Sequence, residues 1–108
     1  MNELVERLSR GDHPVEIIIR PERTAKAVRD KIESGYIHIK FTGTRGGTEL
    51  GVALDKQLTD LSTGDVERQE GTIKLVGDLT LNYEKVRCIA DIDLATFNGK
   101  GRLEPLQA

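Results

Sequence analysis

The sequence predicts an α+β fold: two N-terminal helices packed on one face of a curved, mainly antiparallel sheet of about five to six strands, in the order α-β-α-β-β-β-β-β. Three observations carry this expectation. Apolar residues recur at helical spacing in two stretches before Gly35. From Tyr36 onward the period changes to strict alternation, the pattern of half-buried strands. Turn-forming residues then separate the alternating stretches at hairpin-like intervals. All of residues 1–108 are expected to form a single α+β domain.

Residues 2–10 read as a short amphipathic helix, with Asn2 as cap, Leu4, Val5 and Leu8 on one face and Gly11 as the stop. The β-branched run Val15-Glu16-Ile17-Ile18-Ile19-Arg20 follows as a strand. Pro21 keeps Arg20 extended and suits the first turn of a second helix, which runs to about Ser34. That helix buries Ala25, Val28 and Ile32 and has Gly35 just beyond its end.

In residues 36–41, Ile37, Ile39 and Phe41 point one way and the polar residues the other. The run Gly43-Thr44-Arg45-Gly46-Gly47 signals a turn, after which Leu50, Val52 and Leu54 resume the alternation. A turn centred on Arg45-Gly46 pairs Phe41 with Leu50, Ile39 with Val52 and Ile37 with Leu54. Residues 55–65 break the pattern and read as a loop with one helical turn around Leu58 and Leu61.

Two further alternating strands follow, one through Ile73, Leu75, Leu79 and Leu81, the other through Val86, Cys88, Ala90, Ile92 and Leu94. A turn between Asn82 and Tyr83 sets Asp78 opposite Arg87, Lys74 opposite Asp91 and Ile73 opposite Ile92. Tyr83 is uncomfortable at the positive φ of a two-residue turn, so a four-residue loop of the same register is expected. Asn98-Gly99 reads as the last hairpin turn, returning the chain through residues 100–104.

Charge and cysteine content narrow the function classes. Sixteen Lys and Arg against eighteen Asp and Glu leave a net charge of −2, which argues against a general polyanion binder. Residues 20–45 are locally basic, with Arg20, Arg23, Lys26, Arg29, Lys31, Lys40 and Arg45 against Glu22, Asp30 and Glu33. The single cysteine excludes an internal disulfide and any CxxC metal or redox motif. With no apolar run long enough to span a bilayer and no signal-peptide core, the expected compartment is the cytoplasm.

Candidate chemistry is sparse. His38 faces outward between Ile37 and Ile39, and His13 lies in a loop; neither has a partner at metal-ligand or catalytic spacing. Asp91 and Asp93 share a strand face, but cross-strand pairing with Lys74 and Arg87 is the better account than a cation site. No Ser lies in a nucleophile elbow, and Cys88 alternates with buried positions. No catalytic residue, metal ligand or cofactor is therefore expected. The glycine-rich tip lacks the following helix and lysine of a phosphate loop, yet it gathers donors on an exposed hairpin. Thr44, Arg45, Gly46, Gly47 and Thr48, together with His38 and Lys40, form the expected binding surface.

The sequence thus reads as a small, non-catalytic protein-binding or accessory module. One alternative is a nucleic-acid accessory protein using Arg20, Arg23, Lys26, Lys40 and Arg45. The other is a small-ligand binder or enzyme with its site in the mouth of the curved sheet, using His38 or the Asp91 and Asp93 pair. An exposed edge strand would also allow two copies to pair as a homodimer.

Overall fold

In the computed structural model, residues 3–19, 22 and 24–106 are described. Helix α1 (Glu3–Leu8) buries Val5 and Leu8. The cap expected of Asn2 lies outside the described residues. Strand β1 (His13–Ile18) buries Val15 and Ile17, beginning two residues before the expected strand. The readings at Arg20, Pro21 and Arg23 lie outside the described residues. Helix α2 (Ala25–Ser34) starts later than a first turn at Pro21 would place it. Its cap is Thr24, whose Oγ1 accepts the Ala27 N–H at 3.1 Å, so a threonine side chain sets the helix start.

The remaining strands are β2 (Tyr36–Phe41), β3 (Thr48–Leu54), β4 (Gly64–Asp65), β5 (Glu70–Leu81), β6 (Glu84–Asp93) and β7 (Asn98–Pro105). All pairings are antiparallel, and the seven-stranded sheet runs β3-β2-β1-β7-β6-β5-β4. A further pairing, Ala53 with Asp78 and Leu54 with Gly77, joins β3 to β5. That contact closes six of the strands into a barrel and leaves β4 as a two-residue appendage of β5. Closure goes beyond the open curved sheet expected from sequence, because it depends on β1 meeting β7 and β3 meeting β5, pairs distant in the chain.

Antiparallel order fixes where the helices sit. α1 leads into the start of β1, while α2 connects the end of β1 to the start of β2, so the two lie at opposite ends of the barrel. Val5 and Leu8 of α1 and Val28 and Ile32 of α2 belong to the same apolar cluster as the inward strand residues. No helix of the described residues is long and apolar enough to cross a membrane.

The turns test the registers. β5 and β6 pair as expected, from Thr72 opposite Asp93 to Leu81 opposite Glu84. The turn is the tight two-residue form and not a four-residue loop: Asn82 and Tyr83 take φ of 50° and 69°. β2 and β3 pair two residues away from expectation, with Phe41 opposite Thr48, Ile39 opposite Leu50 and Ile37 opposite Val52. Arg45 and Gly46 are still the central residues of a β-turn, closed by the Gly47 N–H on the Thr44 carbonyl at 2.9 Å. Thr42 and Gly43 precede it as extra residues, because the Thr42 N–H bonds the Pro14 carbonyl and draws the chain toward β1. The Asn98-Gly99 reading is overturned. Both residues lie in β7, paired with Asp93 and Ile92. The turn is residues 94–97, held by Asp93, whose carbonyl accepts the Phe97 N–H at 2.7 Å and whose Oδ1 accepts the Ala95 N–H at 2.9 Å.

Two glycines and one tyrosine give stability tests. Gly46 has φ of +74° and open space around it, so Gly46→Val costs only backbone strain, about 1–2 kcal/mol. Gly77 is buried at the β3–β5 closure, where a Cβ would collide with the Ala53 carbonyl oxygen and Val52 Cγ1. Gly77→Ala should therefore cost more, about 2–3 kcal/mol, through forced separation of the strands. Urea unfolding of both variants checks the order, and equal or negligible losses would contradict it. Tyr83→Gly should act in the opposite direction, relieving a left-handed side-chain residue and raising stability by about 0.5–1 kcal/mol. A lowered melting temperature would show that the tyrosine ring stabilises the free protein.

Candidate functional site

The residues expected to bind lie on one hairpin, but their polar groups are mostly engaged with each other. Thr44 and Thr48 hydroxyls bond at 2.7 Å, and Thr44 Oγ1 also donates to the Phe41 carbonyl at 3.3 Å. These bonds fasten the loop that carries Arg45, Gly46 and Gly47. Lys40 lies on the outer face between Glu16 of β1 and Glu49 of β3, with its stem over Gly47. His38 sits two residues back, edge-on to Tyr36 at 5.4 Å between ring centroids. The structure brings Lys40 and the five tip residues together, and leaves His38 in a separate aromatic pair.

Of the other residues considered for chemistry, His13 and Arg87 have structural partners, and Asp91 is placed opposite a lysine on each neighbouring strand. His13 is the first residue of β1, and its Nε2 lies 3.0 Å from both the Arg7 and Arg10 carbonyls. Because carbonyls only accept, this nitrogen carries a proton and caps the end of α1. Asp91 stands between Lys74 of β5 and Lys100 of β7, and Arg87 bonds Asp78 at 3.1 Å. Among the described residues no group of three His, Cys, Asp or Glu side chains could hold a metal ion. Within the basic stretch, Arg29 Nε pairs with Glu33 at 3.1 Å and Arg29 also pairs with Glu67. Lys26 lies on α2, near the end of the barrel away from Arg45, and Arg20 and Arg23 lie outside the described residues.

A groove that the sequence did not reveal runs between α2 and residues 55–67. Two adjoining cavities of about 310 and 270 Å³ share Ile32, Glu33 and Leu61. Leu54 and Val66 complete the apolar floor, with Arg29, Lys56, Asp65 and Glu67 at the margins. Leu61 is 40% exposed and Leu58 45% exposed. The segment is held against β5 by its main chain. The Asp55 N–H bonds the Val76 carbonyl at 2.8 Å, Thr59 Oγ1 bonds both Val76 main-chain groups, and Asp60 exchanges two backbone bonds with Lys74. Asp55 Oδ1 accepts from the Gln57 and Leu58 N–H groups, and the Thr59 N–H returns to the Asp55 carbonyl. The expected helical turn at Leu58 is thus a single hydrogen-bonded turn. The Ser62 hydroxyl and N–H, at 2.6 and 2.9 Å, hold the exposed Asp60 carboxyl below its ordinary range. The available sequence signal was a pair of leucines in a stretch that fits no strand pattern.

Comparison with known proteins assigns no family: no protein-family model matches the chain, and no curated protein sequence matches it. The site has to be read from its own geometry.

Cys88 is wholly buried on the inner face of β6, and burial pushes its thiol up from 9.0 to about 12. Native protein at pH 8 should therefore react with iodoacetamide far more slowly than protein unfolded in urea. The folded state holds the proton more tightly, so this group's contribution to stability is intact below pH 9 and is lost as pH rises toward 12. Equal labelling rates for folded and unfolded protein would contradict the burial.

Proposed function

We propose that this chain is a non-catalytic binding module that receives an apolar element of a protein partner in the groove between α2 and residues 55–67. The observation that carries the reading is the exposure of Leu61 within a concave apolar floor that it shares with Ile32, Leu54 and Val66. An exposed leucine is ordinary when it stands alone, but Leu61 lies in an apolar recess with charged margins, the arrangement of a partner site. The glycine-rich tip supports the reading less well, since its threonine hydroxyls already bond one another. A site in the barrel mouth is also less favoured, because the interior is filled with side chains. The same reading places the chain in the cytoplasm, where a lone reduced cysteine is the ordinary state.

Leu61→Glu tests the proposal by placing a charge on the groove floor without touching the barrel interior. A photo-crosslinking residue at position 58 should capture a reproducible partner from a native lysate, and Leu61→Glu should reduce that capture at least about tenfold, the loss of one buried apolar anchor. Arg45→Ala, at the tip, should leave it unchanged. Capture that survives Leu61→Glu but fails with Arg45→Ala would move the site to the hairpin tip.

A further inference from the structure

Along the edge of β5 that faces away from β6, every second residue has main-chain partners until the last. The Thr72 carbonyl accepts from Thr63 Oγ1, and Lys74 exchanges two bonds with Asp60. The Val76 carbonyl accepts the Asp55 N–H, and Asp78 pairs with Ala53. Thr80 is next in this series, and among the described residues no strand pairs with it on that side. β3 changes in the same place. Its pairing with β5 stops at Ala53, and Gly51 is the next residue whose main-chain groups point toward β5. The seam between β3 and β5 therefore opens toward the Asn82-Tyr83 turn. The side chains show the same opening. Leu79 and Leu81 pack against the core but stay partly exposed. Val86, opposite Leu79 on β6, is wholly buried, so the uncovered side of Leu79 is the one toward β3. A cavity of about 310 Å³ lies along this edge, lined by Asp78, Leu79, Thr80, Lys85 and Leu106.

We infer that the open seam takes an extended, acidic peptide segment of a partner, added as a strand between Thr80 of β5 and Gly51 of β3. An open strand edge selects another strand, because only extended backbone offers N–H and C=O groups at matching spacing. Alternation then assigns the side chains of the added strand. Those turned inward are apolar and cover Leu79 and Leu81, and those turned outward meet the charges of the rim. On that rim Lys85 stands opposite Thr80, and Arg45 lies in the turn that precedes β3. Neither cation has an ion-pair partner among the described residues. The nearby acids are engaged, Asp78 with Arg87, and Glu49 and Glu84 with partners of their own. The rim thus favours an acidic strand over a basic one. This site is separate from the groove beside α2 and does not depend on it.

A fluorescein-labelled heptapeptide of alternating valine and glutamate tests this, titrated with the full chain and read by fluorescence anisotropy. Binding should saturate by about 1 mM protein, the range of weak contacts. Methylating the main-chain nitrogens of the valines leaves every side chain in place. It should weaken binding at least about tenfold, the loss of one or two hydrogen bonds. A valine–lysine peptide of the same length should bind more weakly than the valine–glutamate one at low salt. Thr80→Pro removes the edge N–H and spares the bonds to β6, so it should weaken binding as methylation does, with circular dichroism confirming the fold. If Thr80→Pro does not fold, the methylated peptide on the wild type decides alone. No binding, equal binding of the methylated peptide, or equal binding of the lysine peptide would each overturn the inference. Dimerisation of the protein alone that Thr80→Pro abolishes would make a second copy the occupant and overturn the choice of an acidic partner.

Discussion

The narrowness of a six-stranded barrel is the constraint on which the rest of this molecule depends. Barrel diameter grows with strand number, and six strands enclose too little space for a large side chain at every inward position. The inward rows therefore alternate in size. Gly77, Cys88 and Leu103 stand side by side across β5, β6 and β7, and Leu75, Ala90 and Gly101 form the next row. Larger residues fill the centre from the other strands, among them Phe41, Ile37, Ile39 and Ile17, all essentially without solvent exposure. Gly77 has a second role, because its missing side chain lets the Ala53 carbonyl approach and close the ring.

Closure then decides where function can reside. A filled interior leaves the outside as the available surface, and a ring of paired strands removes most of the free edges through which sheets join. The two helices close opposite ends by adding Val5, Leu8, Val28 and Ile32 to the central cluster. Residues 55–69 stay outside the ring and run along the edge of β5, bridging it at Asp60–Lys74 and at Gly64–Gly71. Because this segment is tied down by its backbone, Leu61 remains partly exposed and shares a recess with Ile32 of α2. The groove is a consequence of how the barrel closes.

Sequence alone determined the types of the longer elements, most of the buried faces and the local hairpin between β5 and β6. That register was legible because opposite charges and apolar residues agree on one alignment, with Asp78 beside Arg87 and Ile73 beside Ile92. The β2–β3 register was not, because a shift of two residues keeps every side chain on its face, and only the Thr42–Pro14 bond to a third strand selects between alignments. Asn98-Gly99 misled because a strong turn dipeptide was outweighed by Asp93 gathering the N–H groups of Ala95 and Phe97. The tip cluster of Thr44, Arg45, Gly46, Gly47 and Thr48 was visible as composition, while the bond between its two threonine hydroxyls was not. Only the tertiary structure decided that β1 meets β7, that β3 meets β5, and that Leu61 shares a recess with Ile32. Periodicity reports which face of an element is buried, but not which distant element covers it; that choice is made by packing volume and backbone pairing across the whole chain.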